Sequence, residues 1–488
     1  MRVFAVRLDV VGRSVGHRGA MGFAVRFGAG RLGPFGDRVV SFAPLGHTFA
    51  SVGRAILPRV ERGRLGAVTL PSQPPGRLGL TFDGRLLFAA RSARMFAYGA
   101  LAVILVLYLT RLGLSGETVG AILSLTLVGD IVVSLWLTTH ADRLGRRRIL
   151  IVGALLMAGA GIAFAVTDVA PVLLVAATVG VISPSGNEVG PFLAIEQSSL
   201  SEITADRRRT SVFAWYNLAG SIATACGALG AGVAVGALRA GGPDDLSAYR
   251  IVVIAYAVGG LAMATLFTRI GPDVEVPRTD RVEISVASRL GLGRSRGTVL
   301  RLAALFAVDA FAGGLVMQSI LAYWFHVTYG VPEAVLGAIF FGANLLAAGS
   351  ALAAARIAAR IGLVNTMVFT HLPSNVLLIL VPLMPNAPLA ILVLLARFSI
   401  SQMDVPTRQS YTMAVVDPDE RSAAAGVTGI ARSTGAAVSA NFGATMVATP
   451  ALAALPFLIG GALKIVYDLT LWGLFRARPA PEEVSEAT

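Results

Sequence analysis

One cysteine, Cys226, and one lysine, Lys464, stand in 488 residues. A single thiol excludes an intrachain disulfide and leaves the redox compartment unread. Its apolar surroundings predict a small buried side chain. The lone lysine among 41 basic residues matches the codon bias of a GC-rich genome and carries no physical message. Charge is scarce as well, at 14% of residues, where a soluble globular chain has roughly 25%. No HExxH, CxxC or nucleotide-binding glycine loop occurs, so no metal, cofactor or catalytic residue is expected.

What replaces charge is oil. Hydrophobic residues make up 55% of the chain and the mean hydropathy is +0.72, which places it in a bilayer. The formal charge of +13 is unevenly spread: up to Ser92, 14 arginines face four acidic residues, a net of +10, and only +3 remains for everything after. That location argues against a nucleic-acid partner. Residues 1–85 are rich in Gly and Arg, hold no run of ~18 apolar residues and no signal-peptide pattern. A disordered tail attracted to anionic lipid is preferred to a small domain or to translated sequence upstream of the true start.

Beyond Ala93 the chain breaks into apolar stretches of ~20 residues, the length that crosses about 30 Å of hydrocarbon as helix. About twelve are expected, near 93–113, 117–139, 148–167, 171–199, 210–235, 251–270, 302–325, 333–354, 363–384, 386–408, 422–447 and 453–475. The even connections carry Arg143, Arg146, Arg147 and Arg148, then Arg207, Arg208 and Arg209, then Arg278, Arg281, Arg289, Arg294 and Arg296, then Arg356 and Arg360. The odd ones hold little beyond Arg111, Arg239 and Arg250. The positive-inside rule then puts both termini in the cytoplasm. Trp324 at an outer end, with Trp136 and Trp472 near inner ends, fits an interfacial belt or plain lipid-facing packing.

Duplication follows from the longest polar connection, 271–301, which splits the spans into an N-terminal half, 86–270, and a C-terminal half, 302–476, before a tail at 477–488. EQSSLSEITADRRRTS from Glu196 aligns with RQSYTMAVVDPDERSA from Arg408, pairing Gln197 with Gln409 and Arg209 with Arg421. DRLGRRR at Asp142 has a weaker echo in ARIGLVN at Ala359. The expected fold is an all-α multi-pass membrane protein of two pseudo-symmetric six-helix halves.

The connection after the second span reads THADRLGRRR. It resembles the Gly-x-x-x-Asp-Arg-x-Gly-Arg-Arg signature of the major facilitator superfamily (MFS), with Asp142, Arg143, Gly145, Arg146 and Arg147 matching and Thr138 where the family usually has its first glycine. Gly145 suits a tight turn, Asp142 suits a helix N-terminus, and the arginines can pair with it or with lipid phosphate. The resemblance implies a cytoplasmic latch that stabilises an outward-facing state, and two halves rocking around a central site. Thr138 puts in question how closely spans two and eleven approach at the cytoplasmic side.

Ionisable residues also fall at membrane depth, where each costs ~3 kcal/mol or more. The stretch ISPSGNEVGPFLAIEQSS, Ile182 to Ser199, must supply the second half of span four, because the preceding apolar run is too short to cross. Read as helix, it puts Glu188 and Glu196 within ~80° of each other on a cavity face. Asp130, Asp309, Arg397, Arg432, Lys464 and Asp468 complete the set of candidates for proton coupling or the substrate cavity. Lys464 and Asp468, spaced i,i+4, suggest an internal ion pair, as do Asp404 and Arg408 near the inner end. Asp130, Glu188 and Asp309 have no cation within one turn of their own helix. Burial favours the neutral acid, so such a carboxyl can take up and release a proton as a cavity opens and closes, unless Arg397 or Arg432 pairs with it from another helix. Gln318, Asn344, Asn375 and His371 read as hydrogen-bonding glue between helices.

The expected function is secondary active transport of a small organic solute by alternating access, coupled to protons, with export among the possible directions. Solute, protons and the lipid of a cell inner (cytoplasmic) membrane are the expected partners of a monomer. The alternative is a non-transporting sensor or lipid-handling protein of the same fold. An enzyme is disfavoured: GLSG at Gly113 resembles the motif of intramembrane serine proteases, but Ser115 precedes Glu117 in a helix-start pattern, and no histidine lies at depth in that half to activate it.

Overall fold

The computed structural model describes residues 80–476 apart from 205, 243, 276–292 and 418–419, with the side chains of 142–143, 206–211, 273 and 422 also outside the description. The extension expected to be disordered lies outside the described residues up to position 79, as do Arg278, Arg281, Arg289 and the tail from 477. Fifteen α-helices and no strand occur among the described residues. Nine of the stretches are long and apolar enough to cross a membrane, and two shorter apolar helices accompany them.

The first three spans are continuous: α1 (Phe82–Arg111), α2 (Gly116–Leu144) and α3 (Arg146–Val166). Span four is two half-helices, α4 (Ala170–Val179) and α5 (Phe192–Glu202), followed by α6 (Asp206–Ala240) and α7 (Asp245–Thr268). In the second half, span seven is likewise divided into α8 (Arg296–Gly314) and α9 (Gln318–Tyr329), before α10 (Glu333–Ile361) and α11 (Leu363–Leu380). Span ten is α12 (Ala387–Phe398) plus α13 (Asp404–Ala414), and α14 (Arg421–Ala448) and α15 (Leu455–Phe475) close the set. The count of twelve crossings therefore stands, with α1 starting eleven residues before the expected position 93.

The continuous helix expected through Ile182–Ser199 is not formed: the chain leaves helical geometry from Gly180 to Pro191. Gly186 and Gly190 adopt φ of 71° and 85° there, a region that L side chains resist. Backbone freed at this depth has to be satisfied by protein, and it is. Tyr256 Oη donates to the Val181 carbonyl, Tyr98 Oη donates to the Val189 carbonyl at 3.3 Å, and the Ser319 amide, from the first turn of α9, donates to the Pro184 carbonyl at 3.2 Å. The Gly190 amide donates to Asp130 of α2.

Pseudo-symmetry shows at the turns. Gly145 between α2 and α3 has φ 101°, and Gly362 between α10 and α11 has φ 84°, so the echo of DRLGRRR in ARIGLVN is a repeated left-handed turn. Glycine also governs helix approach. A Cβ on Gly99 would lie 2.1 Å from the Thr224 carbonyl oxygen of α6, and one on Gly227 1.9 Å from that of Phe96, so α1 and α6 touch backbone to backbone.

Two single-residue expectations fail. Cys226 is exposed on the bundle surface. Trp324 is 2% exposed, packed against Phe325, Tyr329 and Phe457, and so forms no interfacial belt; Trp136, 55% exposed, is free to face lipid. Ser115, by contrast, caps α2 by accepting from the Thr118 amide at 3.2 Å.

Candidate functional site

The buried charges form two clusters, one in each half. In the N-terminal half Arg94 of α1 is the hub: its Nη1 and Nη2 donate to the two carboxylate oxygens of Glu196 at 2.8 and 2.7 Å, and its Nε donates to Glu188 at 2.7 Å. Arg91, one turn earlier, lies 2.8 Å from the other oxygen of Glu188, and Tyr216 of α6 donates to Glu196. Both guanidinium groups also sit over rings, Arg91 over Tyr216 at 4.4 Å and Arg94 over Phe192 at 4.5 Å. Glu188 and Glu196 thus share partners and not a helix face, because Glu188 stands in the unwound segment. Glu196 is fully buried.

Asp130 stands apart. Its Oδ1 accepts from the Gly190 amide and from Ser134 at 2.9 Å, and no ion pair reaches it among the described residues. It lines, with Glu188, Gln197 and Thr138, a cleft of about 390 Å³ whose far wall is Gly429, Ile430 and Ser433 of α14. That wall belongs to the other half of the molecule.

In the C-terminal half Asp309 of α8 is the centre. Lys464 Nζ donates to its Oδ1 at 2.5 Å and Arg408 Nη1 to its Oδ2 at 3.1 Å. Arg408 also holds Asp404 at 3.0 Å, the expected i,i+4 pair. The other expected pair is not made: Lys464 turns to Asp309, while Asp468 is held by His371 Nδ1 at 2.9 Å and by Asn375 Nδ2 at 2.8 Å. Asp309 is therefore paired across helices, by Lys464 and Arg408 rather than by Arg397 or Arg432. Neither of those two arginines makes an ion pair among the described residues. Asn344 donates to Gln318 at 3.2 Å.

The signature turn is held by a residue the sequence reading missed. Glu275, in the long connection, accepts the amides of Arg146 at 2.8 Å and Arg147 at 3.1 Å, capping α3 where the helix dipole favours an anion. Arg146 also reaches the Val274 carbonyl at 3.3 Å and Glu202 at 3.6 Å. The side chains of Asp142 and Arg143 lie outside the described residues. Glu420 does the same for α8, accepting from the amides of Gly293, Arg294 and Ser295 at 2.8, 2.9 and 3.0 Å. Burial opposes its ionisation, yet those donors hold its carboxyl below the usual range.

The sequence model of the Major Facilitator Superfamily matches residues 87–440. The chain belongs to this superfamily. An uncharacterized membrane protein of Saccharomyces cerevisiae is 29% identical over 422 residues, covering 80% of this chain and 94% of that protein. Among solved structures, the nucleoside transporter NupG is 13% identical with a TM-score of 0.64, over 81% of this chain and 99% of that one. A D-xylose-proton symporter is 15% identical with a TM-score of 0.62, over 82% and 98%. At such identities the likeness is one of fold. The MFS fold makes the chain a multi-pass integral membrane protein with the architecture of a secondary transporter, and the cleft lies between its two halves.

Proposed function

We propose that this MFS protein carries a small organic solute by alternating access, coupled to proton movement, in a cytoplasmic membrane with both termini inside. The observation that carries the reading is Asp130. It is a carboxyl at membrane depth, bordering the cleft between the halves, with hydrogen-bond donors but no cation among the described residues. Glu188, Glu196 and Asp309 have arginine or lysine within 3.1 Å, and a paired carboxylate gives up its charge reluctantly. Asp130 has no such restraint. Its partner, the Gly190 amide, belongs to the unwound segment of span four, so protonation of Asp130 loosens the tie between spans two and four as the cleft changes shape. Glu188, within that segment and on the cleft wall, links the same movement to Arg91 and Arg94.

Proteoliposomes loaded with a pH-sensitive dye and offered a solute panel test this. The expected result is lumenal pH change only with a transported solute, and loss of that change in Asp130→Asn with solute counterflow retained. Uptake that ignores both an imposed pH gradient and the substitution removes proton coupling from the reading.

A further inference from the structure

The C-terminal half holds four cations at depth, Arg397, Arg408, Arg432 and Lys464, against Asp309, Asp404 and Asp468. Their pairing is complete without two of them. Arg408 and Lys464 take Asp309 and Asp404, and His371 with Asn375 takes Asp468. Arg397, in the last turn of α12, and Arg432 of α14 make no hydrogen bond or ion pair among the described residues, and the Nε of Arg397 is inaccessible with no acceptor. Both lie close enough to feel Asp309 and Asp404, so they border one charged centre from two helices. Arg432 sits in the turn of α14, Gly429 to Ser433, that walls the cleft.

Magnitudes decide against a merely structural role. Arg397 stacks on Phe398 at 5.0 Å and ends a helix; a cation–π contact and a helix dipole are weak substitutes for an anion. Both side chains are half-buried at membrane depth, where a cation without an anion is costly to hold. The N-terminal half shows the contrast, since Arg91 and Arg94 both rest on carboxylates.

We infer that Arg397 and Arg432 form the binding site for an anionic group, carboxylate or phosphate, of the carried solute. The inference rests on the transport reading for the fate of the ligand, not for its binding. Planar guanidinium donors match both groups in geometry.

The test uses the full chain in phosphatidylcholine nanodiscs, with thermal unfolding followed against matched probes: succinate with succinamide, glycerol 3-phosphate with glycerol, and inorganic phosphate at constant ionic strength. At least one anionic probe should raise the unfolding temperature and its neutral match should not. Arg397→Gln and Arg432→Gln should each weaken the apparent affinity about tenfold or more, the loss of a charge-assisted bond. Arg360→Gln, on an exposed position at the end of α10, should leave it unchanged. Nanodiscs containing phosphatidylglycerol distinguish the source of the anion: stabilisation by that lipid, lost in the same variants, keeps the site and assigns it to a headgroup. No response to any anionic probe or lipid, an equal response to the neutral probes, or a response that survives both arginine substitutions overturns the inference. Proteoliposome exchange separates it from the reading beneath it. Counterflow of a neutral solute without anion binding sinks the anion site and leaves transport standing; anion binding without exchange of any probe does the reverse.

Discussion

Arg94 shows how one side chain can hold a membrane bundle together. It joins α1 to α5 through Glu196 and to the unwound segment through Glu188, with three donors engaged and no surface exposed. Removing one partner of a buried charge network costs ~3–5 kcal/mol, because the other charges stay buried. Arg94→Ala should therefore lower stability by about that amount in denaturant melts of the purified protein, and Arg94→Ala combined with Glu196→Ala should lower it by less than the two single losses added together. Additive losses would mean that the two groups do not share a network. Arg94 is hard to see in the sequence because α1 begins at Phe82: a cation at the presumed lip of a span looks like a snorkelling anchor, and Arg91 falls before the expected start of the span at 93. The i,i+4 spacing of Lys464 and Asp468 misled for a related reason. Spacing ranks neighbours on one helix, and the fold offered Lys464 a carboxylate from another at 2.5 Å.

Broken helices are this fold's recurrent element, and they occur in spans four, seven and ten. These begin three of the four three-span units that the nested repeats of such a fold imply, and the remaining first span carries Arg91 and Arg94. Pro184, Gly186, Gly190 and Pro191 announced the break in span four. The length argument overrode them, since a ten-residue helix cannot cross alone; the actual solution keeps the crossing and satisfies the loose backbone from side chains of α1, α2 and α7. Those partners are distant in sequence, which is why the support that permits the break was not legible. Tyr256 shows what that support contributes. Its hydroxyl gives the Val181 carbonyl a donor inside the bundle, and Tyr256→Phe would leave that carbonyl unsatisfied without changing shape. The expected loss is ~1–3 kcal/mol, read as a lower unfolding temperature, with amide exchange quickened in the 180–191 segment before it quickens in α7. Exchange unchanged in that segment would mean that another donor or water already satisfies the carbonyl.

Across the whole molecule the two halves meet tightly at one end and part at the other. At the end opposite the start of α1 and the end of α15, Gly116 lies against Ala448, Gly120 against Asn441 and Gly232 against Gly337. The Asn441 amide donates to Ser124 at 3.0 Å, and Arg239 reaches across to Glu333 at 2.5 Å. Towards the other end the same pair of helices, α2 and α14, flank the cleft from Asp130 to Thr138. The sequence showed twelve spans, the duplication and the unusual Thr138. It could not show which end is closed, because one chain has to serve both arrangements and its glycines are compatible with either. Gly120 makes that choice testable. A Cβ there would fall 2.8 Å from the Asn441 carbonyl oxygen and 2.9 Å from its Cα, so even Gly120→Ala must push α2 and α14 apart at this end while leaving the cleft end untouched. An overlap worth about 1.4 kcal/mol changes the ratio of the two arrangements tenfold. Nitroxide labels at Glu117→Cys and Thr449→Cys, both exposed at the closed end, should report a single short distance in the parent and a second, longer population once Gly120→Ala is added. Glu333→Gln, which removes the anion that Arg239 grips, should enlarge the longer population further. A distance distribution indifferent to both changes would show that this end is held shut by something other than the glycine contact and its ion pair.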